Sequence, residues 1–231
     1  MSAPAIGQRR RWVPGPSAQV DWSDPLAQQL GNLVSGFGCD LAAGPTTRTG
    51  VPVRGRTDIG EAFYVTGGAS IDTTPHVPYA HNGTAATAYS VHIVFRPVTW
   101  PGSFTPIIDG SSGSRDVSVF AGTGGNLSFI SIGGGSPGTA TTAMAVGGTW
   151  GFTITGTAAG VVTYYVNGAR VGGSTTTNGT CPAQSFTIGR NGSGGGNNAD
   201  MHVSMFGAWR RELAPAEVAR LHADPFCMLR S

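Results

Sequence analysis

The chain has no lysine; all 14 of its basic residues are arginine, and charged residues make up only 11% of its 231 positions. Apolar residues reach 39%, so the combination of high net charge and low hydropathy that keeps a chain unfolded is absent. The formal net charge is +2, and apart from Arg9, Arg10 and Arg11 the arginines are scattered. No basic stripe exists to follow a phosphate backbone, so nucleic acid is not an expected partner. A lysine-free surface fits the coding bias of a GC-rich genome.

Cysteine is scarce too. Cys39, Cys181 and Cys227 are odd in number and far apart, which is neither a disulfide framework nor a zinc pattern. They read as reduced, buried thiols. No run approaches the ~18 apolar residues of a membrane helix, so no membrane is expected. The opening MSAPAIGQRRRWVPGPS has no apolar stretch after its arginines, so no signal peptide is read there. Synthesis in a cytoplasm follows as the expectation. Asn-Gly at 82, 178 and 191 precedes Thr or Ser, and reads as turn chemistry rather than as glycosylation sites.

Glutamate occurs three times, at Glu61, Glu212 and Glu217. A retaining glycosidase needs two carboxyls ~5–5.5 Å apart, which i, i+2 or i, i+4 spacing on one strand face would supply. No acidic pair has that spacing on a strand. No G-x-S-x-G elbow is present for a serine nucleophile. No catalytic residue is assigned.

Glycine, by contrast, is abundant at 37 residues, without a collagen period. It separates segments of strict alternation. Tyr89, Val91, Ile93 and Phe95 alternate with Ser90, His92, Val94 and Arg96. Trp150, Phe152 and Ile154 alternate likewise, as do Val162, Tyr164 and Val166. Met201, Val203, Met205 and Trp209 share one parity. Half-buried strands read this way, because successive side chains point to opposite faces. His92 and His202 fall on the polar parity, at the surface or in inter-sheet hydrogen bonds. Asn167-Gly168 marks a hairpin. Short strands with such turns predict an all-β, two-sheet antiparallel sandwich, with Phe95, Trp150, Tyr164 and Trp209 in the core between its layers.

Residues 1–25 hold four prolines and two tryptophans, and are expected to form an extended arm lying on its own domain or on a neighbour. Arg9, Arg10, Arg11, Trp12 and Trp22 are its candidate partner contacts. Residues 26–231 form the remaining domain. Asp24 through Leu33 suggests a short helical turn. Near the end, residues 214–223 predict a single helix, with Pro215 in its first turn, Glu217 at the positive end of its dipole, and Val218 and Leu221 on one face.

Four segments together resemble the concanavalin A-like lectin/glucanase superfamily in its laminin-G-like branch. Glu61-Ala62-Phe63-Tyr64 with Ala69-Ser70-Ile71-Asp72 resembles the first strand pair. Tyr89 to Pro97 resembles the long central strand, with Phe95 where tryptophan is usual. Thr149 to Ile154 with Thr163 to Gly168 resembles the "W-h-h-v-a-v-t" and "l-Y-v-D-G" strands. Ile188-Gly189-Arg190-Asn191, Met205 to Leu213 and the terminal helix resemble the closing signature. The resemblance implies a jelly roll, and the glucanases' E-x-D-x-E array is missing here. The arm with Asp21-Trp22-Ser23-Asp24-Pro25-Leu26, and the ending Asp224-Pro225-Phe226, also resemble proteins encoded in tailed phages and prophages.

That second resemblance implies a virion protein, attached to capsid or tail as a decoration, cement or head-fibre subunit, homo-oligomeric, and on the virion surface after assembly in the host cytoplasm. A receptor-binding tail-fibre module that takes host surface polysaccharide is the alternative. A glycoside hydrolase of the same fold is a further one. Laminin-G-like domains often hold calcium, for which Asp72, Asp109, Asp116 and Asp200, with Asn126, are the candidates. Turn-capping aspartates look the same. Trp100, Phe104 and Tyr165, with Tyr64 and Tyr79, are the candidate sugar platforms, although aromatics equally build cores.

Overall fold

The strand Tyr89–Thr99 lies at the centre of one sheet because its two parities are both apolar enough to bury. The computed structural model describes residues 18–35, 41–42, 46–49, 53–73, 81–82, 85–86, 88–100, 102, 105–110, 118–122, 125–130, 138–159, 161–175, 186–190 and 198–230. Tyr89–Thr99 pairs antiparallel with Trp150–Gly156 on one side and Asp200–Trp209 on the other. Val161–Val166 and Ala169–Thr175 continue the sheet beyond Trp150–Gly156. Leu30–Ser35 and Gly60–Val65 lie end to end along the far edge of Asp200–Trp209. With Leu41–Ala42 and Val53–Thr57 this makes nine strands. The second sheet runs Gly138–Ala143, Asn126–Ile130, Ser118–Ala121, Thr105–Asp109, Thr187–Ile188, Ser70–Thr73, Thr46–Thr49.

The layers are therefore those the alternation predicts. Tyr89, Val91, Ile93, Phe95, Phe152 and Tyr164 from the first sheet meet Ile71, Ile108, Val119 and Ile188 from the second. The hairpin falls at Asn167-Gly168, both with positive φ (50° and 76°), as a type I′ turn requires.

Two of the four expected core rings lie elsewhere. Trp150 sits half-buried at the rim of the inter-sheet core. Trp209 faces the opposite side of its sheet. Phe95 opposes Val203 while Val94 opposes Met205, so Ser204 is an extra residue in the strand. Such a bulge reverses parity. Met201 and Val203 point between the sheets, whereas Met205 and Trp209 point outward into a second core.

That second core is sealed by both ends of the described chain. The helix Pro215–Ala223 buries Val218 and Leu221 on it. Their burial contributes roughly 1.5–3 kcal/mol each. Glu217 accepts from the Ala214 amide at 2.8 Å, closing the helix start. Arg211 grips the Glu217 carboxylate through two 2.7 Å bonds and also donates to the Pro25 carbonyl at 3.0 Å. Arg220 pairs with Asp24. The predicted helical turn at 24–33 shrinks to the 3-10 turn Pro25–Ala27, because Leu30–Ser35 is drawn into the sheet.

Residues 18–25, expected in the arm, belong to the domain. Gln19–Val20 pairs with Leu229–Arg230, and Val20 is buried in the second core. Arg9, Arg10, Arg11 and Trp12 lie outside the described residues.

Candidate functional site

The calcium candidates divide between the two sheets. Asp72 and Asp109 share one cross-strand row, each directly opposite Thr187, on the outer face of the seven-stranded sheet. Asp109 is 1% exposed and accepts the Ser118 hydroxyl at 2.7 Å. Asp72 takes the Ser70 hydroxyl at 3.3 and 3.4 Å. Asp200 lies on the nine-stranded sheet, Asn126 is exposed at a strand start, and Asp116 is outside the described residues. Among the described residues no three His, Cys, Asp or Glu side chains converge as metal ligands.

The sugar-platform candidates are also redistributed. Tyr165 is 6% exposed, within the second core under the terminal helix. The polar parity it occupies faces packed protein rather than water, which removes it from a sugar's reach. Trp100 donates its indole N–H to the Met144 carbonyl at 2.9 Å and stands edge-on to Phe95, ring centroids 6.5 Å apart. Gly125 makes that possible, since a Cβ there would meet the indole nitrogen at 2.5 Å. Phe104 and Tyr79 lie outside the described residues. Trp22 is 51% exposed in the turn after Gln19–Val20.

Tyr64 is the aromatic that gains a site. It pairs with His202, which pairs with Arg96 on the next strand, so three polar side chains from three strands form one outward row. Tyr64 and His202 stack with centroids 4.7 Å apart and planes 22° from parallel. The imidazole needs Gly55 beneath it, because a Cβ on Gly55 would come within 2.7 Å of Nδ1. Asp200, two residues from His202 on the same face, accepts from the Thr99 hydroxyl at 3.3 Å. All of these except the exposed Thr99 are half-buried, so the row is accessible yet held.

Charge complements this arrangement. Burial, then the nearby Arg96 guanidinium, hold the His202 imidazole below its usual range, with Asp200 pulling the other way. Its hydrogen bond to Asp200 raises the Tyr64 phenol. A flat aromatic stack, a guanidinium, a carboxylate and a hydroxyl therefore share one face. These are the elements with which proteins hold polyhydroxylated ligands, since a ring face covers apolar C–H groups and polar neighbours fix the hydroxyls. Tyr64 and Asp200 had each been singled out in the sequence, but for different chemistries. His202 and Arg96 were read only as polar-parity residues. Cys227 is a free thiol, pushed up to about 12 by burial, and so is no nucleophile.

Comparison with solved structures places this geometry in context. Domain 4 of an extracellular arabinanase from Geobacillus stearothermophilus, solved with arabinotriose, is similar over 84% of this chain and 98% of its own, at 18% identity and TM-score 0.64. A botulinum neurotoxin type C structure, described with two ganglioside molecules in cell entry, matches over 85% at 11% identity and TM-score 0.62. A Trypanosoma rangeli sialidase matches over 87% at 13% identity and TM-score 0.61. This chain spans about half of that toxin chain (51%) and a third of that sialidase chain (34%). Identities this low show the fold alone. No curated protein matches the sequence. Residues 66–219 match the family model of the concanavalin A-like lectin/glucanases superfamily, and the chain belongs to that superfamily.

Proposed function

We propose that this protein is a non-catalytic binding domain on the surface of a tailed-phage particle, a decoration, cement or head-fibre subunit whose Tyr64–His202 face takes host surface glycan. The observation that carries the glycan reading is the convergence of Tyr64, His202, Arg96, Asp200 and Thr99 on one accessible sheet face. Arabinotriose on the arabinanase domain and gangliosides in the toxin description support it by analogy of fold. A binding role is favoured over hydrolysis because a general acid must reach the glycosidic oxygen. Asp109 is sealed and Glu217 is bound to Arg211, and Asp200 is the one carboxylate among the described residues in the row, where glycoside hydrolysis takes a pair. The phage assignment rests on the resemblance of the segments around Trp22 and Asp224, and homo-oligomerisation on the same reading.

Titration calorimetry of the purified protein against host surface polysaccharides tests the glycan role. A polysaccharide is expected to bind, with Tyr64→Ala weakening it at least tenfold while the circular-dichroism spectrum stays unchanged. No binding to any host polysaccharide, or Tyr64→Ala binding as wild type, would refute the site. Immunogold labelling of particles then separates a head subunit from a tail-fibre module. Release of reducing sugar would restore the hydrolase reading.

A further inference from the structure

His92 lies mid-strand on the outer face of the nine-stranded sheet and is 1% exposed. Its Nδ1 is 2.9 Å from the Thr153 hydroxyl, and its Nε2 makes no hydrogen bond. The last turn of the terminal helix places His222 against it. A Cβ built on Gly151 would sit 3.2 Å from His222 Nδ1, 3.7 Å from His92 Cε1 and 3.9 Å from Asn167 Oδ1. The bare Cα of Gly151 is thus the floor on which both imidazoles rest. Gly168 serves His222 in the same way, its missing Cβ lying 3.1–3.2 Å from the His222 side chain.

Among the described residues no acid acts on His92. The register sets Thr153 and Gly207 beside His92 on the flanking strands. Asn167 Oδ1 is already taken by the Gly151 amide at 2.9 Å. On the helix, Glu217 is bound to Arg211 and Arg220 to Asp24. Among the described residues, His222 is the titratable group acting on His92.

We propose that His92 and His222 form an acid-sensitive latch that holds the terminal helix and the segment after it on the sheet at neutral pH and frees them in acid. A proton on His92 is stripped of water and faces a second imidazole rather than a carboxylate, so it is accommodated only when the helix lifts. Burial first, and His222 second, lower His92 from 6.5 to about 3, against a smaller opposing pull from the Phe152 carbonyl. The sign follows from this depression. The undocked state binds the proton more tightly, so docking weakens as pH falls from about 6.5 toward 3. For one proton, the docking equilibrium falls about 30-fold between pH 7.5 and 5.

Hydrogen exchange on the full-length protein, corrected for intrinsic rate, tests this. Amides of residues 215–230 are expected to lose about 30-fold protection between pH 7.5 and 5. The strand Thr105–Asp109, in the other sheet, should hold its protection. His92→Asn should flatten the response, since asparagine can still bond Thr153 and does not titrate. Should that variant fail to fold, the His92 Cε1 proton resonance of the wild type gives the same answer, as its titration must coincide with helix release and lie well below 6.5. Constant protection across this range, a response retained in His92→Asn, His92 titrating near 6.5 with the helix docked, or equal loss in every strand would each overturn the latch.

Discussion

Gly207 exists to make room for Trp209, and substituting it measures that contact. Both residues face outward on the same strand, so the indole folds back along its own backbone. Trp209 is wholly buried, and its N–H is anchored on the Leu26 carbonyl at 2.6 Å. A Cβ on Gly207 would lie 2.6 Å from Cη2 and 3.0 Å from Cζ3 of the ring. The ring is rigid and held at its far end, so it cannot swing aside without stretching the bond to Leu26. Overpacking of this kind costs roughly 1–3 kcal/mol. Replacing a strand glycine by alanine returns roughly 0.5–1 kcal/mol of chain entropy, leaving Gly207→Ala destabilised by about 0–2.5 kcal/mol. Trp209→Phe should cost more, about 2–4 kcal/mol, by leaving the Leu26 carbonyl buried and unbonded and by opening a cavity. With phenylalanine at 209 the collision disappears while the entropy gain stays, so the double variant should be more stable than the two single costs predict by the whole overpacking cost, about 1–3 kcal/mol. Urea unfolding followed by far-ultraviolet circular dichroism gives the four free energies of the cycle. Additivity within about 0.5 kcal/mol would refute the packing argument.

Two further outcomes follow from the ends of the described chain. Glu217→Gln should cost up to about 1 kcal/mol at pH 7, through the lost charge in the Arg211 bridge, since the amide oxygen still accepts from the Ala214 amide. The Arg211 hydrogen bond holds the Glu217 carboxyl below 4.5, so this stability is present above that value and lost as pH falls through the depressed one; wild-type and variant melting temperatures converging on acidification are the check, and a difference that does not shrink with falling pH would contradict it. Under the proposed particle role, deleting residues 1–17 should abolish attachment to particles, whereas deleting 1–25 should also unfold the second core by removing Val20 and Asp24. Equal melting temperatures for the two truncations would show that residues 18–25 contribute nothing to the fold.

Local chemistry is what the sequence by itself determined. Alternation along Tyr89 to Phe95, the Asn167-Gly168 turn and the Pro215 helix start each depend on residues a few positions apart, and each is where the pattern puts it. The layer count, the antiparallel class and the family follow from such short-range signals added together. The tertiary structure alone decided which faces are buried. One extra residue at Ser204 turns Met205 and Trp209 to the other side of their sheet, and nothing in the spacing of apolar residues marks a bulge. The helix and the segment after Val20 then cover that side, so a parity that reads as solvent-facing, with His92 and Tyr165 on it, becomes a second core. The Tyr64–His202 row joins residues 138 positions apart through strand register, which is set by the whole hydrophobic pattern rather than by either residue's neighbours.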